Sequence, residues 1–234
     1  MKITFLYHSA FLVELPECDL LFDWYGGTLP PRAPGKPLYV FASHHHGDHY
    51  SPEIFSLGME HVTYILATCI RLSAKRRAAL GIDPARVHRL PANVTAEIGP
   101  LTVQTFRSTD AGVAFLVTCG AHRLFHAGDL NWWHWTGEDP AWNQQMERAF
   151  TKVCAQLQGI SVDAAFLPLD PRLGDAFWWG FDRMMNALEA KMAFPMHCWE
   201  DFSVIDRLTA LPESREYRER VAHITENGQT FELP

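Results

Sequence analysis

The chain lacks the excess of positive charge that a nucleic-acid-binding surface requires. Its 234 residues include 27 acidic side chains against 20 lysines and arginines, which gives a formal net charge of -7. A phosphate-rich ligand normally needs a basic face on the protein. The composition therefore predicts no nucleic-acid partner.

Long apolar runs and a leader-like start are also missing. No stretch approaches the roughly 20 apolar residues of a membrane-spanning helix. The first residues show no basic region followed by an apolar run and a small-residue cleavage site. The cysteines are odd in number, scattered and without a CxxC pair: Cys18, Cys69, Cys119, Cys154 and Cys198. This pattern is typical of reduced thiols, so we expect a cytoplasmic protein with no membrane partner.

Apolar residues, by contrast, are plentiful. They make up 47% of the chain, which is enough for a substantial core. The length fits one large domain as easily as two small ones. The predicted order is strands, helix, strands, helix, strand, helix, strand, and no short unit repeats.

Local signals predict several elements and their limits. Residues 38–42 predict a buried strand that runs directly into a cluster of histidines. Asp139 and Pro140 predict a helix start, and apolar residues at helical spacing after them predict that Trp142 lies in the core. Residues 224–225 and 230–233 predict a closing hairpin.

The histidine cluster has the chemistry of a metal site. It reads His44-His45-His46-Gly47-Asp48-His49. On an extended segment His44 and His46 point the same way, and after Gly47 the chain can turn and present Asp48 and His49. Imidazoles and a carboxylate suit Zn²⁺, Fe²⁺ or Mn²⁺. A solvated polar loop is the alternative, but the buried strand before the cluster favours metal binding.

The run HHHGDH resembles the HxHxDH motif of the metallo-β-lactamase superfamily, and the resemblance extends over nearly the whole chain. Asp23 resembles the first motif of the family, residues 126–129 its GD segment, and residues 194–197 its last metal histidine. The opening YHSAFLVEL and the LPLD at 167–170 are most similar to the L-ascorbate-6-phosphate lactonase-like branch. The resemblance implies an α+β fold, a four-layer αββα sandwich, in a single domain over residues 1–234.

The same resemblance implies a binuclear site. It assigns His44 and His46 to the first metal, Asp48, His49 and His197 to the second, and Asp129 to a bridging position. His45 is not expected to be a ligand. The two divalent ions would be zinc, with manganese or iron as alternatives.

One expected ligand is missing. The family usually has a metal histidine after the strand that here spans residues 102–106, but this chain continues Arg107-Ser108-Thr109-Asp110. Asp110 could replace it as an oxygen ligand, or the first metal could be held weakly. An ordinary loop or capping role for Asp110 is equally compatible with the sequence.

The resemblance further implies a hydrolase for a small-molecule lactone, ester or phosphodiester. A water between the metals would lose its proton and attack as a metal-bound hydroxide. Asp48 would be the catalytic residue that orients this hydroxide or accepts its proton. His8 lies in a turn that the family places near the site.

Seven of the eight tryptophans cluster late in the chain: Trp132, Trp133, Trp135, Trp142, Trp178, Trp179 and Trp199. Those that follow Asp129 and His197 predict a partly aromatic pocket wall, which suits an apolar or ring-bearing substrate. Arg107, Arg172 and His134 are candidate anion contacts. An exposed aromatic patch would also be compatible with a homo-oligomer.

Two other functions stay open at this stage. Other branches of the superfamily process nucleic acids, but the acidic balance argues against that activity here. A non-catalytic metal-binding or ligand-binding protein, with an incomplete first metal site, is the second alternative.

Overall fold

The computed structural model describes residues 1–58 and 61–234. That part of the chain contains thirteen strands and four α-helices. The strands are β1 (Lys2–Tyr7), β2 (Ala10–Glu14), β3 (Asp19–Phe22), β4 (Leu38–Ala42), β5 (Val62–Ala67), β6 (Val87–Leu90), β7 (Thr95–Ile98), β8 (Leu101–Arg107), β9 (Val113–Cys119), β10 (His122–His126), β11 (Ser161–Pro168), β12 (Glu189–Met196) and β13 (Thr230–Glu232). The helices are α1 (Ala74–Ala79), α2 (Pro140–Leu157), α3 (Trp179–Ala187) and α4 (Ser203–Ala210). Short 3₁₀ helices cover Pro52–Ser56, Pro84–Arg86, Pro171–Ala176, Glu213–Glu216 and Arg218–Arg220.

The chain forms two compact units. The first unit comprises Met1–Pro91 and Asn227–Pro234, and the second comprises Ala92–Glu226. Each unit contains one mixed sheet. A single domain over residues 1–234 stays a prediction. Within the described residues, no helix has both the length and the apolar character that crossing a membrane requires.

The first unit is built on a seven-stranded sheet in the order β13-β1-β2-β3-β4-β5-β6. Pairing is antiparallel from β13 to β3 and parallel from β3 to β6. Every residue of β3 and β4 is buried. Continuous apolar runs are typical of parallel strands covered on both faces, and here they carry the chain to Asp23 and to the histidine cluster.

The C-terminal strand corrects one prediction. Residues 224–225 form no strand, and β13 pairs with β1 instead, with Lys2 opposite Glu232. The Gly228 N–H also donates to the Phe5 carbonyl at 2.8 Å. The predicted closing hairpin is therefore wrong, because the open edge of β1 provides a partner that no local pattern reveals.

The second unit is built on a six-stranded sheet in the order β12-β11-β10-β9-β8-β7. Strands β10, β11 and β12 are parallel, so their carboxyl ends lie at the same edge of the sheet. The chain segments that carry Asp129, Asp170 and His197 all follow these ends. The topology therefore brings together residues that are far apart in the sequence.

Helix α2 confirms one prediction and contradicts another. It begins at Pro140, and the Asp139 side chain accepts a hydrogen bond from the Ala141 N–H at 2.8 Å, as predicted. Trp142, however, is 37% exposed and not in the core. Its neighbour Asn143 is buried instead, because the Asn143 amide binds both the N–H and the carbonyl of Trp135.

Candidate metal centre

The histidine cluster folds into a tight turn directly after β4. The N–H groups of His49 and Tyr50 both donate to the His46 carbonyl, at 3.1 and 2.9 Å. The turn brings the His44 ring within 4.5 Å of the His46 ring and 4.2 Å of the His49 ring, measured between centroids. His44 and His49 are buried, whereas His45 is exposed. The imidazoles of His44, His46 and His49 therefore lie close together, whereas that of His45 faces solvent.

Asp23 holds the imidazole of His49 directly and that of His44 through Ser43. Its Oδ2 lies 2.7 Å from Nδ1 of His49 and accepts a 2.6 Å hydrogen bond from the Ser43 hydroxyl. The Ser43 oxygen in turn lies 2.9 Å from Nδ1 of His44. Because the hydroxyl hydrogen goes to Asp23, Nδ1 of His44 must be the donor to Ser43. Both rings therefore carry their proton on Nδ1, which leaves the lone pair of Nε2 available to a metal ion.

Asp23 itself is placed to orient these imidazoles. Its carboxylate oxygens lie close enough to His44 and His49 for a three-residue metal group. However, those oxygens already accept the Ser43 N–H, the Ser43 hydroxyl and His49. The backbone of Asp23 is in the left-handed region, with φ 43°. Such strain is typical of positions that function holds in place.

Asp48, the predicted catalytic residue, lies on the same turn and is partly exposed. Its Oδ2 is 3.6 Å from Nε2 of His8, whose side chain is buried. The His8 imidazole outweighs the opposing effect of burial and holds the pKa of Asp48 well below its usual range, and His49 adds to this effect. The ligand atoms of His8, Asp48 and His49 all lie within 4.8 Å of one another. His8 was not among the predicted ligands.

In the second unit, Asp129 and His197 form a buried pair. Asp129 follows β10 and His197 follows β12. Nε2 of His197 lies 3.1 Å from Oδ1 of Asp129, and Nδ1 of the same ring lies 3.0 Å from Oδ2 of Asp170. This imidazole also carries its proton on the side of an orienting carboxylate, so that Nε2 is turned toward Asp129.

Asp170 is a functional candidate that was not among the predicted site residues, although it ends the LPLD segment that carried part of the family resemblance. It is completely buried and accepts hydrogen bonds from the Arg172 guanidinium, at 2.9 Å from Nε and 2.6 Å from Nη2, and from Trp199 Nε1 at 3.2 Å. Burial raises the pKa of this carboxyl, but hydrogen bonds from His197 and Arg172 outweigh it and lower the pKa to about 2. The Asp170 side chain also caps the 3₁₀ helix Pro171–Ala176, because it accepts the Arg172 N–H at 2.9 Å.

Aromatic side chains flank His197 on two sides. The Trp133 ring lies 5.6 Å from the imidazole, and its Nε1 donates to the Asp129 carbonyl at 3.0 Å. The Trp199 ring lies 5.7 Å from the imidazole and is 43% exposed. The Arg172 guanidinium stacks on Trp199, 4.2 Å from the ring centroid. Two of the predicted tryptophans therefore do surround a predicted ligand.

Asp110 lies on a turn that is tied to the Asp129 loop. The neighbouring Thr109 hydroxyl donates to the Asn131 carbonyl at 2.6 Å and accepts its N–H at 3.0 Å. Carboxylate oxygens of Asp110 and Asp129 lie within 4.8 Å of one another. This placement is compatible with an oxygen ligand, and the role of Asp110 stays a prediction. Two of the predicted anion contacts lie in different surroundings. The Arg107 side chain is exposed, and the His134 ring packs against the Trp179 ring, with 4.8 Å between the centroids.

The chain is similar to known metal-dependent hydrolases. Residues 2–134 match the family described as the β-lactamase superfamily domain. A UPF0173 metal-dependent hydrolase of Desulforamulus reducens is 28% identical over 222 residues, with 84% of each chain covered. One from Alkaliphilus metalliredigens is 28% identical over 243 residues, with 94% of this chain and 93% of the relative covered. The branch resemblance to L-ascorbate-6-phosphate lactonases is not confirmed by these relatives.

A solved structure shows the same fold. Igni18, a metallo hydrolase from Ignicoccus hospitalis, superposes with a TM-score of 0.59 at 16% identity and covers 100% of this chain and 99% of its own. Together with the two mixed sheets and their helices, this likeness confirms the predicted α+β, metallo-β-lactamase-like fold.

Proposed function

The chain belongs to the β-lactamase superfamily and is a metal-dependent hydrolase, and from this premise we propose a binuclear centre that acts on a small-molecule lactone, ester or phosphodiester. One observation carries the proposal. His44, His49 and His197 each have Nδ1 engaged, by Ser43, Asp23 and Asp170 respectively. Metal-binding histidines are typically oriented in this way.

The donor set fits a divalent ion. Two ligands that each lie about 2.1 Å from one ion are roughly 3.0 to 3.4 Å apart, in octahedral or tetrahedral geometry respectively. Nε2 of His197 and Oδ1 of Asp129 are separated by 3.1 Å, and both residues are buried. A buried imidazole and carboxylate at this spacing support metal binding at Asp129 and His197.

We retain the family's ligand assignment as the proposal. The ground for this assignment is the family membership. The first ion would be held by His44 and His46 with Asp110 as an oxygen ligand, the second by Asp48, His49 and His197, and Asp129 would bridge them. Zinc is the expected metal, with manganese or iron as alternatives, because all three accept nitrogen and oxygen ligands.

The residues of the chain divide the chemical work. When bound, divalent ions supply Lewis acidity and lower the pKa of water. The low pKa of Asp48 keeps its carboxylate ionised at neutral pH, so that it accepts a hydrogen bond from the attacking water and orients it. Trp199, which is 43% exposed, supplies a flat apolar surface beside His197, whereas Trp133 packs against the imidazole from a buried position. This surface supports a ring-bearing or apolar small molecule as the substrate.

Metal analysis of the full-length chain, purified without chelators, tests the centre. We expect two equivalents of metal per chain, and a loss of metal in His49→Ala and His197→Ala. His45→Ala is the matched control, since His45 belongs to the same run but is exposed, and it should keep both equivalents. A wild-type chain that binds no divalent metal would overturn the proposal.

A substrate panel tests the reaction separately. Lactones, esters and phosphodiesters of small size should be hydrolysed by the metal-loaded chain and not by the His49→Ala variant. Cleavage of RNA with none of these substrates turned over would instead favour the nucleic-acid-processing alternative. Full metal content with no turnover of any substrate would favour a non-catalytic binding protein.

A further inference from the structure

The backbone conformation of His8 is one that histidine rarely adopts, and the turn does not require a histidine there. It lies between β1 and β2 with φ 46°, in the left-handed region. This conformation is unfavourable for a non-glycine residue, and hairpin turns usually place glycine or asparagine there. The imidazole that results is buried, with its side chain only 7% exposed. A strained, buried histidine at this turn indicates a role beyond the turn itself.

The separation between His8 and Asp48 is close to that of two ligands around one ion. Nε2 of His8 lies 3.6 Å from Oδ2 of Asp48. Hydrogen bonds between nitrogen and oxygen fall at about 2.7 to 3.2 Å. Two ligands around one tetrahedral ion, each about 2.1 Å from it, are roughly 3.4 Å apart. The observed separation is therefore closer to that of two groups facing a common ion.

His49 completes a group of three donors. The His8 and His49 rings lie 5.6 Å apart at 80°, edge to face. The donor atoms of His8, Asp48 and His49 all lie within 4.8 Å of one another. Asp23 holds His49 by Nδ1, which leaves Nε2 as its ligating atom. Two nitrogens and one carboxylate oxygen from the first unit thus share one small volume.

We propose that His8 is a metal ligand, and that it joins Asp48 and His49 in holding a divalent cation of the zinc class. The inference rests on the proposed function, because it adds a ligand to the ion assigned to Asp48 and His49. Two histidines and one carboxylate are a donor set found in catalytic zinc sites. Metal binding by His8 would also explain why a histidine is held in the left-handed backbone conformation between β1 and β2.

The test compares two substitutions at His8 in the full-length chain. His8→Gln keeps an amide that can donate a hydrogen bond to Asp48, but an amide is a poor ligand for zinc. His8→Asn tolerates the left-handed backbone and guards against a folding defect at the turn. His45→Gln is the matched control, because His45 is exposed in the same cluster. Circular dichroism would confirm that each variant is folded.

The readouts are metal affinity, by competition of Zn²⁺ with a chromophoric chelator, and the visible absorption of the Co²⁺-loaded chain. An orienting partner outside the ligand set weakens metal binding about 10- to 100-fold. We expect His8→Gln and His8→Asn to lose more than 100-fold and to change the Co²⁺ spectrum, while His45→Gln changes neither.

Wild-type Co²⁺ absorption retained in both His8 variants, or a loss below 100-fold, would overturn the assignment of His8 and leave the proposed function standing. A wild-type chain without metal would overturn both. The two failures are therefore distinguishable.

Discussion

Nδ1 of His197 lies 3.0 Å from Oδ2 of Asp170, and these residues are 27 positions apart in the chain. Asp170 has no exposed surface, so its carboxylate forms hydrogen bonds with protein groups and not with bulk water. It links His197 to the Arg172 guanidinium and to the Trp199 ring nitrogen. The aromatic surface beside the proposed ligand is thereby connected to the ligand itself through one buried carboxylate.

Replacement of Asp170 by asparagine should weaken metal binding. An amide N–H₂ in place of Oδ2 faces the donor on Nδ1 of His197, and two donors cannot hydrogen-bond to each other. We expect Asp170→Asn to bind Zn²⁺ about 10- to 100-fold more weakly in chelator competition. Asp206→Asn is the matched control, since Asp206 contacts the exposed His223 at 2.9 Å. Equal affinities in the two variants would contradict the role of Asp170.

Replacement of Arg172 by lysine should lower the stability of the chain by a small but measurable amount. Its guanidinium makes a forked contact with Asp170 and stacks on Trp199, and an ammonium group can do neither in the same geometry. Because the Arg172 side chain is 46% exposed, we expect Arg172→Lys to lower the free energy of unfolding in urea by only about 1 kcal/mol. Arg207, which stacks 4.3 Å from the Phe177 ring, provides the comparison, and Arg207→Lys should cost less.

Ser43 should be required for both stability and metal binding. Ser43→Ala removes the hydroxyl between Asp23 and His44 and leaves the buried Nδ1–H of His44 without its acceptor. A buried donor that loses its partner costs about 1 to 3 kcal/mol, measurable by urea unfolding of the metal-free chain. Ser203→Ala, at an exposed hydroxyl that bonds to Asp201, should change stability far less. A neutral Ser43→Ala would show that the network does not orient His44.

Gly180 should be intolerant of alanine although it lies inside α3. Helix propensity alone favours alanine by about 1 kcal/mol. A Cβ at Gly180 would lie 1.7 Å from Oδ1 of Asn131 and 2.9 Å from the Trp132 backbone nitrogen. We expect the clash to prevail, so that Gly180→Ala lowers the unfolding free energy by about 1 to 3 kcal/mol and displaces the Asp129 loop.

Replacement of Gly47 by alanine should be tolerated, so this variant is the control for Gly180→Ala. It lies within the histidine cluster, but a Cβ there would meet no atom within 4 Å. Gly47→Ala should therefore leave thermal unfolding of the metal-free chain nearly unchanged, within about 0.5 kcal/mol. Similar losses in both variants would show that close approach at Gly180 is not the cause.

Tyr7 should make stability depend on alkaline pH. Burial raises its pKa to about 12, compared with about 10 in an unfolded chain. Its hydroxyl donates to the Gly26 carbonyl and accepts the Gly26 N–H at 2.8 Å. The contribution of the neutral phenol is fully present below pH 10 and is lost as the pH rises toward 12. Tyr7→Phe should flatten urea stability across this window, and an unchanged slope would contradict the assignment.

Much of the architecture could be read from local pattern. Buried apolar runs predicted strands such as β4, and Asp139 with Pro140 predicted the start of α2. These signals work because periodicity and capping involve residues that are close in sequence. The histidine cluster could be recognised in the same way, since four predicted metal ligands lie within six residues. Trp142 shows the limit, because helical spacing placed it in the core whereas Asn143 takes the buried position.

The sequence by itself therefore determined which side chains are candidates for metal binding and that several of them follow buried strands. Only the tertiary structure decided which partners those side chains meet. The parallel order of β10, β11 and β12 brings Asp170 to His197, and the turn between β1 and β2 brings His8 to Asp48. The physical reason is that hydrogen bonds between distant side chains depend on strand order and register, which local propensity does not encode.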